Sequence, residues 1–151
     1  SQEILQKVPG LFIAQHAGGG KAEQIFLRGF DIDHGTDIQI SADGLPVNMV
    51  SHAHGQGYAD LHFLIPETIE KIDFGKGPYY TDKGNFSTAG YVDFQTFDKI
   101  SESQLKLEVG RFDTRRMMAM FNLLPQQQNS HAYIASEYLP SAGPFESPQD
   151  F

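Results

Sequence analysis

The feature that most constrains the fold of this chain is an alternation of apolar and polar residues in three successive runs after residue 98. In the first run, Leu105, Leu107 and Val109 are separated by charged residues. A period of two places every second side chain on the same face of a β-strand. The region is therefore predicted to be an antiparallel β-meander with one apolar face. The apolar positions of the next two runs are Met117, Ala119, Phe121 and Leu123, and then Ala132, Ile134 and Tyr138, with Ser136 as an interruption.

Two kinds of protein contain such a meander. Each run has the length of about ten residues with which a tilted strand crosses a lipid bilayer. An ordinary soluble sandwich has strands of the same pattern, and alternation alone does not separate the two. The longest clean apolar run covers only residues 63–65, so no membrane-spanning helix is predicted.

The part of the chain before the meander has a different organisation. Short apolar runs are separated here by loops rich in glycine, and a helical turn is predicted to end at Pro9 and Gly10. Asp43 and Gly44 form a tight-turn signal between two short strands. The sequence thus predicts an α+β domain, a small mixed sheet with short helices, over residues 1–98 and a meander over residues 99–151.

Composition excludes several classes of protein. The chain has 11 Lys and Arg against 19 Asp and Glu, a formal net charge of -8. A nucleic-acid-binding protein needs a basic face to neutralise phosphates, so no nucleic-acid partner is expected. Cysteine is absent, which excludes disulfides, thiolate metal sites and a cysteine nucleophile.

Five short motifs occur in order along the chain. They are V-P-G at residues 8–10, I-F-L-R-G-F at residues 25–30, D-G-L-P at residues 43–46, I-E-K-I-D-F-G-K-G-P at residues 69–78 and A-G-Y-V-D-F at residues 89–94. Together they resemble the plug domain of TonB-dependent receptors, which reads V-P-G-V, I-R-G, D-G-V-P, I-E-x-I-E-V-x-x-G-P and G-G-x-I-N. The resemblance covers nearly the whole chain, because that plug precedes an antiparallel barrel.

The resemblance implies a function in transport. A receptor of this family lies in the outer membrane of a Gram-negative bacterium, and its plug gates the barrel lumen during uptake of an extracellular substrate. The implied partners are TonB, with ExbB and ExbD, and the substrate; no enzymatic activity and no cofactor are expected. The chain departs from the family at residues 79–84, and Ala89 replaces the first glycine of a pair. We expect the TonB box to lie outside this chain, and the barrel to be truncated after its first strands.

The resemblance also suggests candidate site residues. Arg28 corresponds to an arginine of the charged interface between plug and barrel, although a solvated arginine at a strand end is an equal alternative. Two loops correspond to apical loops that contact the substrate. Their candidate residues are Asp31, Asp33, His34, His52, His54, Gln56 and Tyr58.

Three histidines raise the alternative of a metal site. His52 and His54 form a His-x-His pair, and His62 follows after Asp60. Imidazole and carboxylate groups are ligands of zinc and other transition metals. The alternative is an exposed polar loop, because no second motif orients these ligands.

Three further expectations follow. A soluble metal-binding hydrolase could use the three histidines, and a secreted ligand-binding β-domain could contain the meander. Since three strands do not close a barrel, we expect the chain on its own to self-associate through its open strand edges or to fold the meander back on the plug.

Overall fold

A computed structural model describes residues 2–14, 22, 24–32, 37–124 and 130–144 of the chain. These residues contain two 3-10 helices and ten β-strands. In chain order they are the first 3-10 helix (Gln2–Lys7), β1 (Leu11–Ala14), β2 (Gln24–Leu27), β3 (Phe30–Ile32), β4 (Ile38–Ala42), β5 (Leu45–Pro46), the second 3-10 helix (Pro66–Thr68), β6 (Ile69–Lys76), β7 (Gly90–Thr96), β8 (Gln104–Val109), β9 (Arg115–Asn122) and β10 (Tyr133–Tyr138).

The chain forms two compact units, which are divided in the sequence between Thr96 and Phe97. The first unit contains β1 to β7 in two sheets. One sheet has the order β1-β2-β3 and is antiparallel, and the other has the order β5-β4-β7-β6. In the second sheet β4 and β7 run parallel, while the outer pairs are antiparallel, so the sheet is mixed as predicted.

Two tight hairpin turns define the registers of β2 with β3 and of β4 with β5 in the first unit. Asp43 and Gly44 both have positive φ, 49° and 77°, and connect β4 to β5 with Ala42 opposite Leu45. Arg28 and Gly29 do the same between β2 and β3, with φ of 51° and 86°. Positive φ at both central residues is the type I′ geometry, whose twist matches that of the flanking strands. The predicted pairing through Asp43 and Gly44 is confirmed.

The core of the first unit lies on one face of the four-stranded sheet. Ile40 of β4 lies beside Val92 of β7, and Phe94 follows on the same face of β7. Leu5 of the first 3-10 helix and Leu61 of a later loop belong to the same cluster, and these five side chains are at most 1% exposed. Val92 and Phe94 thus lie on the same buried face of β7.

The second unit is an antiparallel sheet in which β9 lies between β8 and β10. The register places Leu107 opposite Met117, and Met117 opposite Tyr138, so these side chains share one face. On the other face, Glu108 lies opposite Arg116 in the register of β8 and β9. The predicted meander is confirmed, but the face that contains Arg116 also contains Met118 and Met120, which are 0% and 1% exposed.

The structure refines two expectations about the elements. The short helices among the described residues are 3-10 helices, because Pro9 and Gly10 end the first after six residues and the second is only Pro66–Thr68. The meander strands contain six to eight residues instead of about ten, since turn residues such as Phe112 and Asp113 adopt positive φ and end the pairing. No helix in the described parts of the chain is long and apolar enough to cross a membrane.

Candidate functional site

The histidine loop, residues 50–58, contains an aromatic cluster. The His52 ring is stacked on Tyr58, with centroids 4.3 Å apart and planes inclined by 12°. The His54 ring meets the same tyrosine edge-on at 5.5 Å and 69°. Tyr58 is buried, whereas both histidines are exposed. The two imidazoles of the loop are therefore exposed to solvent, and both contact the buried ring of Tyr58.

Backbone hydrogen bonds close the base of this loop. The Met49 N–H donates to the Tyr58 carbonyl at 3.0 Å, and the Gly57 N–H donates to the Met49 carbonyl at 2.7 Å. The Ala22 N–H donates to the Tyr58 hydroxyl at 2.7 Å, which connects the loop to a residue 36 positions earlier. The glycines of the histidine loop thus lie in a segment whose ends are fixed.

Asn48 is a site residue that the sequence reasoning missed. Its buried amide donates from Nδ2 to the carbonyls of Ile38 and Gly57, at 2.9 and 3.0 Å. Its Oδ1 accepts the Ile40 N–H at 2.7 Å. The amide therefore connects the loop to the first half of β4. The sequence shows only a polar residue between two apolar neighbours shortly after β5. Periodicity alone does not assign that position to a buried or an exposed face.

The hydrogen bonds of His52 fix its tautomer. Its Nδ1 accepts the backbone N–H of His54 at 3.1 Å. A ring nitrogen that accepts a hydrogen bond carries no proton, so the proton of the neutral ring lies on Nε2. The imidazole of His52 is consequently a donor at its outer nitrogen.

His62 has the opposite arrangement. Asp60 Oδ1 accepts the backbone N–H of His62 at 2.8 Å and lies 2.5 Å from the ring Nδ1. Because a carboxylate accepts and does not donate, Nδ1 of His62 carries the proton. The carboxylate orients this ring, and both side chains are partly exposed, at 43% and 36%.

The structure brings together only two of the three histidines of the predicted metal site. His52 and His54 come together around Tyr58, whereas His62 pairs with Asp60. Within the described segments, no group of three histidine, aspartate or glutamate side chains is placed to hold a metal ion.

The other predicted site residues lie in several places. Arg28 is exposed in the turn between β2 and β3, and Gln56 is exposed in the histidine loop. Asp31 belongs to β3, but its side chain lies outside the described residues, as do Asp33 and His34 altogether. The interface role of Arg28 and the substrate contacts of the loops stay predictions.

A second aromatic cluster lies against the motif at residues 69–78. The Tyr91 hydroxyl donates to Asp73 Oδ2 at 3.1 Å, and Tyr80 meets the Tyr91 ring edge-on at 4.9 Å. Lys83 Nζ lies 4.3 Å from the centroid of the Tyr91 ring. Burial raises the pKa of the Tyr91 hydroxyl, and its hydrogen bond to the Asp73 carboxylate raises it further. Gly75 lies directly beneath both rings, where a larger residue would overlap them.

The polar face of the second unit contains an ion-pair network across all three strands. Arg116 of β9 pairs with Glu108 of β8 at 2.7 Å and with Glu137 of β10. Lys106 contacts Glu108 at 3.2 Å. The Arg116 and Glu137 side chains are only 13% and 14% exposed. The network therefore connects the strands on the face opposite the apolar residues.

A small mixed-sheet domain with a loop closed at its base, followed by antiparallel strands of alternating polarity, has the organisation of a receptor plug domain and adjoining barrel strands. The chain matches the sequence model of the TonB-dependent Receptor Plug Domain family over residues 1–91, and it belongs to this family. The resemblance inferred from the five motifs is confirmed.

A solved structure has the same fold over both units. The chain resembles the pyoverdine outer membrane receptor FpvA from Pseudomonas aeruginosa PAO1, determined with pyoverdine bound, at a TM-score of 0.64 and 19% sequence identity. The match covers 92% of this chain and 19% of that receptor, so the chain spans about a fifth of the receptor's length. The predicted fold class, a plug domain followed by antiparallel barrel strands, is confirmed by this likeness.

Proposed function

We propose that this chain is part of a TonB-dependent receptor in the outer membrane of a Gram-negative bacterium. The receptor binds an extracellular substrate, such as a siderophore, a metal complex or another nutrient, and imports it with energy supplied through TonB, ExbB and ExbD. The plug gates the barrel lumen, and the protein binds and moves its substrate without making or breaking a bond. Family membership supports the class of protein, and the geometry of the second unit supports its place in the membrane.

The observation that carries this proposal is the separation of side chains across the second unit. Leu105, Leu107 and Val109 are 65%, 70% and 89% exposed on one face. A contiguous exposed apolar surface indicates contact with another protein or with lipid. The opposite face contains the ion pairs of Arg116, together with the buried side chains of Met118 and Met120. Apolar residues outside and polar residues inside are the pattern of a strand in an outer-membrane barrel.

The histidine loop is our candidate for contact with the substrate. His52 and His54 are exposed, whereas Tyr58 and Asn48 are buried and hydrogen-bonded. An exposed group on a fixed base loses little conformational freedom on binding, which favours affinity. The loop offers polar groups and a single buried aromatic residue, so its substrate is expected to be polar or metal-bearing.

A charge placed on the apolar face tests the membrane assignment. Leu107→Arg in the full-length protein should reduce the amount found in the outer-membrane fraction, because arginine on the lipid face costs about 2–4 kcal/mol at the bilayer midplane. Lys106→Arg, on the opposite face, is the matched control and should accumulate normally. A soluble ligand-binding β-domain would tolerate both, and equal accumulation of the two variants would contradict the proposal.

Deletion of the gene tests transport. The deletion strain should lose growth on one compound among ferric hydroxamate and ferric catecholate siderophores, haem, cobalamin and maltooligosaccharides, each supplied as the limiting source. Growth should also require TonB. A deletion strain that grows like its parent on every compound would remove the support for a role in uptake of these nutrients.

Paired substitutions test the histidine loop. His52→Ala with His54→Ala should lower binding and uptake of the compound identified by the deletion strain, while the protein still reaches the outer membrane. His131→Ala, at an exposed histidine of the second unit, is the matched control. Unchanged uptake in the double variant would remove the loop from the binding site.

The open sheet edges lead to a proposal about the chain in isolation. Among the described strands, β8 and β10 each pair only with β9. Unpaired strand edges present backbone donors and acceptors to other chains. The 151-residue chain should therefore self-associate when its size is measured by light scattering, unless the meander folds back on the plug. A monodisperse monomer whose meander exchanges its amide protons rapidly would contradict this expectation.

A further inference from the structure

The partners of the histidine rings indicate what kind of atom the histidine loop recognises. A histidine that ligates a metal through one ring nitrogen usually donates the proton of its other nitrogen to a carbonyl or a carboxylate. His52 has the reverse arrangement, because its Nδ1 accepts a hydrogen bond from the His54 backbone N–H at 3.1 Å. To bind a metal through Nε2, the neutral ring would have to move its proton to Nδ1 and lose this hydrogen bond.

The surroundings of His52 hold the ring in this state. The ring lies parallel to Tyr58 at 4.3 Å, and the Tyr58 hydroxyl accepts the Ala22 N–H. Since Tyr58 is only 9% exposed, the stacked imidazole lies on a buried support while its own side chain is exposed. The ring is therefore oriented before any substrate arrives, and its outer nitrogen is a donor.

We infer that His52 recognises the substrate by donating a hydrogen bond from Nε2–H to an oxygen acceptor, such as a carbonyl, hydroxyl or carboxylate, and does not coordinate a metal. This inference rests on the proposed function and specifies the chemistry of the same loop. A metal-bearing substrate is then recognised through the oxygen atoms of its organic part. His62 provides the internal contrast, because its Nδ1–H donates a hydrogen bond to Asp60.

Nitrogen NMR of the histidine side chains tests the tautomers directly. The full-length protein, labelled with [15N]histidine, should show His52 protonated at Nε2 and His62 protonated at Nδ1. The two resonances are assigned by their loss in His52→Gln and His62→Gln, and His131→Gln is the control for the assignment. A His52 ring protonated at Nδ1 would overturn the inference.

Zinc is the probe for metal coordination. Addition of Zn2+ to the labelled protein should leave the Nε2 resonance of His52 in place, and His52→Gln should bind Zn2+ as tightly as the parent protein. Weaker Zn2+ binding in His52→Gln, or a metal-induced shift at His52 Nε2, would overturn the inference.

Glutamine substitution connects the tautomer to recognition. Glutamine places an N–H donor near the position of Nε2 but is not an imidazole ligand. His52→Gln should therefore support growth on the siderophore, haem, cobalamin or maltooligosaccharide that requires the receptor, while His52→Ala should not. Equal loss, or equal retention, in the two variants would overturn the donor role. If no compound requires the receptor, the transport proposal fails instead, and the NMR result still decides the tautomer.

Discussion

The imidazole of His52 lies parallel to the phenol of Tyr58, with the two ring centroids 4.3 Å apart. This contact depends on the other end of the tyrosine, where the hydroxyl accepts the backbone N–H of Ala22. A single side chain thus contacts the exposed His52 through its ring and a distant part of the backbone through its oxygen. Aromatic side chains with a polar group at one end suit such a place, because the ring is buried while the oxygen is hydrogen-bonded.

The first prediction separates these two contacts. Tyr58→Phe keeps the ring but removes the acceptor of the buried Ala22 N–H, and an unsatisfied buried donor costs about 1–3 kcal/mol. Hydrogen exchange at the Ala22 amide should accelerate in the full-length protein. Tyr79→Phe, at a tyrosine that is 84% exposed, is the matched control. Unaltered protection of Ala22 in Tyr58→Phe would show that the hydroxyl does not hold this segment.

The second prediction concerns Asn48. Asn48→Ala leaves the Ile40 N–H and the carbonyls of Ile38 and Gly57 without their side-chain partner. Each buried group left unsatisfied costs about 1–3 kcal/mol, so the loop should open more often. Amide exchange should accelerate at Ile40 and across residues 48–58. The exposed Asn85→Ala should change nothing, and equal exchange in the two variants would contradict the role assigned to Asn48.

Local signals in the sequence predict much of this fold. Asp43 and Gly44 indicate a two-residue turn because few residue pairs tolerate two successive positive φ angles, and the turn then defines the register of β4 and β5. Alternation predicts the two faces of the meander for a similar reason, since a period of two is a property of the strand backbone. Because the five family motifs occur in order along the chain, the sequence also predicts the fold of the whole plug.

The contacts of the site are less accessible from sequence. The Tyr58 hydroxyl accepts a hydrogen bond from a residue 36 positions away, and the Asn48 amide is hydrogen-bonded to the backbone of Ile38 and Ile40 in β4. These contacts arise from the packing of the completed fold and leave no periodic signal. The same applies to the histidines, because residue spacing suggests a shared metal site while the ring partners give His52 and His62 different tautomers.

The third prediction uses the space under the tyrosine pair. A methyl group at Gly75 would overlap the rings of Tyr80 and Tyr91, so Gly75→Ala should lower the free energy of unfolding by about 1–3 kcal/mol, the usual cost of overpacking. Gly84→Ala is the matched control, because no atom lies within 4 Å of its added carbon. The double variant Gly75→Ala with Tyr80→Ala removes one of the two overlapping rings. It should recover part of the free energy of unfolding that Gly75→Ala loses. A Gly75→Ala protein as stable as Gly84→Ala would contradict the packing.

The fourth prediction compares two arginines of β9. Arg116→Met removes the partner of Glu137, whose side chain is only 14% exposed, and an unpaired carboxylate in that position should cost about 1–3 kcal/mol or more. Arg115→Met removes a pair with Asp113 in which both side chains are more than 70% exposed, and such pairs contribute about 0–1 kcal/mol. Urea unfolding of the full-length protein in detergent, followed by circular dichroism, should give a lower free energy of unfolding for Arg116→Met than for Arg115→Met. The reverse ranking would show that the network does not stabilise the strands.

The last prediction concerns pH. Burial, and then the hydrogen bond to Asp73, raise the pKa of Tyr91 above its ordinary value of about 10, so the fold favours the neutral phenol. A group whose pKa is raised in the folded state contributes stability that is complete below the unfolded pKa and is lost as pH rises through the folded pKa. The contribution of Tyr91 should therefore be constant up to about pH 10 and decline above it, because the unfolded chain releases the proton first. Tyr91→Phe cannot ionise, so its free energy of unfolding should fall less steeply than that of the parent protein between about pH 10 and 12. Tyr79→Phe, at a tyrosine that is 84% exposed, is the matched control. If the free energy of unfolding falls with pH equally steeply in the parent protein and in Tyr91→Phe, the Tyr91 phenol is not buried and hydrogen-bonded as the structure shows.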